Sequence, residues 1–218
     1  VSMNLRNHSS WWAVLCALAF FQVAQAQRIF RADHGHAGLE IIPNGGQWPE
    51  HVTGRVAFDQ GWLWWEESGW TAAVRGPGYD AVSRHEFPED GVLNQHVWRV
   101  EFKDAVPSVS PRWLDVQADR LVNMYWGSNP EHWGENLMPA RGVRREIWPG
   151  IEAELRGNRG LKYSFYVSPG ADPAAISMVH HGTRPMQQSD GTLKHLLGPA
   201  DSPWGEVVEA APFAYQMN

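Results

Sequence analysis

Cysteine is almost missing from this chain: its 218 residues include one, Cys16. A disulfide framework and a thiolate metal site are therefore excluded, since each needs several cysteines. Positive charge is also in short supply. Lys and Arg number 18 against 24 Asp and Glu, a formal net charge of −6. That balance argues against an extended phosphate-binding surface. Arg141, Arg144 and Arg145 form one basic cluster, but it lacks the extent and aromatic interleaving of a nucleic-acid groove. No nucleic-acid partner is expected. No HExxH segment, no GxSxG elbow and no phosphate loop is present.

Long apolar runs are missing beyond the first 26 residues. Arg6 supplies a positive flank, Trp11 through Val23 are mostly apolar, and Ala24-Gln25-Ala26 is a small-x-small cleavage site. The run is short for a bilayer span, which needs about 20 apolar residues. A buried helix is the competing reading of the segment. The expectation is a signal peptide over 1–26 and a single domain over 27–218, exported and secreted or held at the cell surface. Cys16 would leave with the leader, so no thiol nucleophile would remain. No membrane span is expected after cleavage.

What is present in excess is tryptophan, with 13 residues, among 21 Gly and 15 Pro. Indoles between frequent Gly and Pro suit short strands, long loops and aromatic sheet faces. Gln95 to Phe102 alternates His96, Trp98, Val100 and Phe102 against Val97, Arg99 and Glu101, a clear period of two. Val52–Phe58, Trp62–Trp65 and Trp70–Val74 read as a meander of short antiparallel strands. Ile151–Arg156 and Leu161–Val167 flank Gly157-Asn158-Arg159-Gly160 as a hairpin, with Leu161, Tyr163, Phe165 and Val167 on one face. Asn129 and Pro130 predict one capped helical turn. Apolar residues outside the leader never keep helical spacing for three turns. The predicted fold is therefore mainly β: an antiparallel β-sandwich or rolled sheet of about ten short strands with long Gly/Pro-rich loops.

Candidate sites are sparse. His34 and His36 share a strand face and His180 and His181 are adjacent, but neither pair has a third ligand at metal-site spacing, so no metal or cofactor is expected. Glu66-Glu67 and the same-face pair Glu152 and Glu154 supply carboxylates, yet hydrolysis of a glycoside needs two acids about 5–9 Å apart across a cleft. Asp172 suits a turn that accepts backbone N–H groups. Trp62, Trp64 and Trp65 lie in one strand, so Trp65 must face away from the other two. Whichever face is not core exposes indole, a platform for sugar rings or protein contacts.

Several segments together resemble a known family. Asn44-Gly45-Gly46-Gln47-Trp48 matches an ENKGQW-like opening, and Tyr125 through Trp133 matches a YFxGxxxxxW stretch. Ile147-Trp148-Pro149-Gly150-Ile151-Glu152 matches VYPGID. Leu161 through Ile176, containing Tyr163, Phe165, Pro169, Gly170, Asp172 and Pro173, matches LxYDFxVxPGADPxxI. Asp190-Gly191-Thr192-Leu193 and the closing Gly205–Gln216, with Tyr215, complete the order. From Pro43 to Gln216 the chain thus resembles the uncharacterised domain that precedes SBBP (beta-propeller-type) repeats in large secreted bacterial proteins, many of them surface or gliding-motility-associated molecules of Bacteroidota. Glu152 and Ser164 stand where the family usually has Asp, and Ala211 where it usually has Lys. The resemblance implies architecture and an extracellular setting, with neighbouring domains or a cell-surface protein or polysaccharide as partner. It implies no catalytic residues.

Three functions follow as expectations. A non-catalytic extracellular structural or adhesion module fits the turn-rich motifs. A carbohydrate-binding domain would use the Trp62–Trp65 strand. A secreted hydrolase would need acids that converge only in three dimensions.

Overall fold

The computed structural model describes residues 12–16, 39–58, 61–77, 79, 92–106, 110–157, 160–201 and 203–217. His34, His36, the cleavage site at Ala24–Ala26 and the turn residues Asp59, Gln60, Asn158 and Arg159 lie outside them. Among the described residues seventeen strands run in chain order: β1 Trp12–Cys16, β2 Ile41–Pro43, β3 Val52–Phe58, β4 Gly61–Glu66, β5 Gly69–Arg75, β6 Gln95–Phe102, β7 Arg112–Val116, β8 Val122–Tyr125, β9 Trp133–Leu137, β10 Ala140–Trp148, β11 Ile151–Gly157, β12 Leu161–Val167, β13 Met178–His181, β14 Met186–Gln187, β15 Leu193–Leu197, β16 Gly205–Glu209 and β17 Phe213–Met217. Two one-turn 3-10 helices, Pro130–His132 and Pro173–Ala175, punctuate them.

Twelve strands form one antiparallel sheet in the order β13-β6-β5-β4-β3-β2-β10-β11-β12-β1-β17, with β7 also paired to β10. It curls into a half-barrel, so the rolled sheet describes the molecule better than two facing sheets. A three-stranded sheet, β14-β15-β16, and a β8-β9 ribbon complete it. The segment read as the apolar core of a leader supplies β1, which pairs with β12 and β17.

Alternation fixes which side faces inward. On β6, Trp98, Val100 and Phe102 are buried, while Val97 is exposed and Arg99 and Glu101 are half-buried. Trp65, Trp70, Trp98, Phe102, Trp148 and Phe165 fill the concave side with Ile41, Val56, Leu63 and Ile147. Phe102 touches Trp148 and Phe165 at centroid distances of 5.6 and 5.8 Å, which ties the β3–β6 half of the curl to the β10–β12 half. Burial of such rings dominates core energetics.

The family-like motifs are corners. Pro149-Gly150 turns β10 into β11, with Gly150 at φ 72°, a conformation that favours glycine. A side chain there would also stand 2.9 Å from Ala171 Cβ, so this corner packs against the Pro169-Gly170-Ala171-Asp172-Pro173 turn. Ser168 donates its N–H to Gly150 O (2.8 Å), and Asp172 Oδ1 accepts from Ala174 N (2.9 Å) as the cap of the second 3-10 helix. Asn129 caps the first in the same way, accepting from Glu131 N at 3.1 Å. Trp133 donates Nε1–H to Gly127 O (3.3 Å) and meets Tyr125 edge-to-face. Tyr215 is exposed beside Phe213 on β17.

Candidate functional site

The Asn44–Trp48 segment is built by its own polar side chains. Asn44 donates Nδ2–H to the carbonyls of Trp48, Pro49 and Val52, and its Oδ1 accepts from Gly46 N and Trp48 N. Gln47 is buried; it donates to Pro43 O (2.8 Å) and accepts from Gly45 N (2.6 Å). Backbone groups in this loop thus find partners in its own side chains. The loop forms one wall of a cleft of about 450 Å³ lined by Asn44, Trp48, Glu67, Pro111, Trp113 and Arg145 among others. That volume falls within the range of small-ligand sites. The cleft is bordered by the loop after β2, by Trp113 of β7 and by Arg145 of β10, strands paired from Ala140–Val116 to Arg144–Arg112. Arg145, buried at this cleft, reaches Glu67 Oε1 (3.2 Å) and Thr53 Oγ1 (3.4 Å).

Beyond the cleft, the convex face of β3–β5 carries a band of rings and guanidinium groups. Trp62 and Trp64 are half-buried there, their rings tilted with centroids 6.3 Å apart. Arg55, paired across the strands with Trp64, places its guanidinium 5.0 Å from the Trp48 ring and 5.9 Å from that of Trp126. Arg75 lies 4.6 Å from the Trp62 ring and 5.6 Å from that of Tyr79. These are cation–π distances. Burial lowers the pKa of Arg55 from its ordinary value.

Trp65 does not belong to this platform. It has no exposed surface and packs edge-to-face on Phe102, because alternation along β4 sends it into the core. Of the three indoles predicted for ligand contact, only Trp62 and Trp64 face outward. The remaining motif residues, Gln47, Trp133, Pro149, Gly150, Tyr163, Phe165, Pro169, Gly170, Asp172 and Pro173, hold corners or core, and Trp48 alone among them joins the band.

Of the acids named from sequence, Glu67 lines the cleft against Arg145 and the others are engaged elsewhere. Glu66 accepts from Thr71 Oγ1 (2.6 Å) and pairs with Arg99 at 3.2 Å. Glu154, nearly sealed from solvent, binds both Arg144 and Arg156, and Glu152 faces Arg112 and Arg144. Among the described residues no three His, Cys, Asp or Glu side chains are placed to hold a metal ion. His181 faces Glu101 at 3.0 Å. No helix among them is long and apolar enough to cross a membrane.

The reading from sequence missed a buried polar junction between the large and the three-stranded sheets. His195 on β15 has no exposed surface, stacks on Trp98, and stands with Nε2 2.8 Å from Glu209 Oε1. Tyr163 donates its hydroxyl to the other Glu209 oxygen at 2.8 Å. His180 and His96 complete the group, and His96 Nδ1 accepts from Gly198 N (3.1 Å). Burial lowers the pKa of both histidines, and the neighbouring His195 adds to the effect. Burial beside Glu209 pushes the Tyr163 hydroxyl well above its usual 10.0. Enclosed in this way, the group lies at the joint between the two sheets. The available signal was His195 between Leu193 and Leu197 and Glu209 next but one to Val207, polar residues on apolar faces. For Arg55 and Arg75 no sequence signal existed, because their rings come from other segments.

No curated protein and no solved structure matches the chain. A family model does, over residues 41–218, and its span takes in the Asn44–Trp48 loop, the hairpin corners and the closing strands just described. The chain therefore belongs to the family described as Domain of unknown function (DUF7948).

Proposed function

We propose that this domain is a non-catalytic extracellular β module, structural or adhesive, of a secreted or cell-surface bacterial protein that carries SBBP-type repeats in its longer relatives. One observation carries the reading: the residues that mark the family are consumed in holding backbone. Asn44, Gln47 and Asp172 satisfy N–H and carbonyl groups of their own turns, and Pro149-Gly150 packs on Ala171. A scaffold needs such corners, whereas an active site needs converging side chains left available for substrate.

A second reading, carbohydrate binding, is favoured by the half-exposed pair Trp62 and Trp64 beside the Trp48 cleft. Indole faces supply flat apolar area to which the C–H faces of sugar rings pack. Retention of the purified protein on a polysaccharide panel, read together with release of reducing ends, separates the functions. Retention without release supports binding; sustained release of reducing ends would overturn the non-catalytic reading. Cleavage after Ala26 would remove β1 from between β12 and β17. The mass of the exported product tests it, with Gln27 as the expected first residue.

A further inference from the structure

We propose that the convex band from Trp48 through Arg55, Trp64 and Trp62 to Arg75 is a binding track for an acidic polysaccharide, whose carboxylates meet the two arginines while its rings lie on the indoles. The proposal rests on the carbohydrate-binding reading and adds the charge of the ligand.

The arginines carry it. The Nε atoms of Arg55 and Arg75 are both buried without a hydrogen-bond partner, and no carboxylate among the described residues pairs with either guanidinium. Elsewhere the molecule pairs its buried or partly buried arginines: Arg144 with Glu154, Arg145 with Glu67. A cation withdrawn from water is costly unless an anion or hydrogen bonds compensate it. Ring faces compensate in part, and a planar guanidinium beside a ring can still offer an N–H edge to an anion. Such an edge is shaped for a carboxylate or sulfate, bound through two parallel hydrogen bonds.

Spacing selects a polymer over a small anion. Arg55 pairs with Trp64, Trp64 pairs with Thr71, and Arg75 is four residues further along β5. Two strand spacings crosswise and four residue rises lengthwise put the two Cα atoms about 16 Å apart. One small anion cannot serve both, whereas an extended chain with repeated acid groups can. Trp62 and Trp64 occupy the interval, with ring centroids 6.3 Å apart, and Trp48 continues the track into the cleft beside Trp113. Two cations on a chain of net charge −6 fall short of the extended basic surface that a nucleic acid backbone requires, so the sugar rings on the indoles supply the rest of the contact.

The test is affinity electrophoresis of the full chain through gels containing polygalacturonate, its methyl-esterified form, or single-stranded DNA, at low and raised salt. Retardation is expected from polygalacturonate, weakening as salt rises, with at least fivefold weaker retardation by the ester. Arg55→Gln and Arg75→Gln should each weaken binding about five- to tenfold, and the double variant should match the ester. Lys103→Gln, away from the band, should change nothing. If a Gln variant loses its native melting transition, Arg55→Lys and Arg75→Lys, which keep charge but not the flat fork, replace it with the same expected loss. Equal retardation by ester and acid, or unchanged binding in folded variants, would overturn the proposal and leave sugar binding standing. No retardation by either polymer removes both. Tighter binding of DNA would assign the track to nucleic acid instead.

Discussion

Replacing Tyr163 by Phe deletes one oxygen from the joint between the two sheets and nothing else. That oxygen donates to Glu209 Oε2 at 2.8 Å, and both residues are almost wholly buried. Phe keeps the ring and its edge-to-face contact with Phe165, so no cavity beyond the hydroxyl opens. The loss leaves a buried carboxyl oxygen without its hydrogen-bond donor, which costs about 1–3 kcal/mol. A loss of that size is therefore expected. In a Glu209→Leu background the Tyr163 hydroxyl is itself the orphan. Deleting it there should cost nothing or stabilise, giving a coupling of the same size or more. Urea unfolding measures all four proteins, with tryptophan fluorescence as the signal because Trp98 stacks on His195 at this joint. A loss below about 0.5 kcal/mol, the scale of surface substitutions, would refute the reasoning. Equal losses in both backgrounds would refute it too.

Acid should loosen the same joint. The folded-state pKa values of His96 and His180 lie below the ordinary 6.5, so the unfolded chain takes up these protons first. Stability should then fall as pH drops from 6.5 toward the lowered values and level off above; a melting temperature that rises with acidification sinks the assignment. At the other extreme, raised Tyr163 keeps its proton above pH 10 while the unfolded chain loses its own, so stability should decline there as pH rises. Trp65→Ala should cost about 3–5 kcal/mol through the cavity it leaves, while Trp62→Ala on the convex face should cost far less. Comparable losses for the two in urea unfolding would mean that the faces of β4 are misassigned.

How much of this was legible in the chain depends on how far each signal reaches. The β6 alternation, the Ile151–Val167 hairpin and the caps at Asn129 and Asp172 are local, and the structure bears them out to within a residue or two. β9 has no such signature, since Trp133-Gly-Glu-Asn-Leu alternates nothing, and it becomes a strand by pairing with β8. Period two says that Trp65 opposes Trp62 and Trp64 but not which side is core; that follows from the curl bringing Phe102 beneath it. The band at Arg55 and Arg75 and the His195–Glu209–Tyr163 joint are assembled from segments far apart in sequence. Register between strands decides them, and register is set by the whole sheet.

The single Ala140–Ile41 rung has a kinetic consequence. On either side of it strands follow one another through short turns, β3 to β5 and β10 to β12, so each of these stretches can zip up from contacts a few residues apart. Joining the halves requires closing a loop of about a hundred residues for the sake of a three-residue splint, and such non-local closures are the slow events in two-state folding. The stitch should form last, and an aromatic pair such as Phe102–Trp148 reports on it, because those rings meet only once the halves have docked.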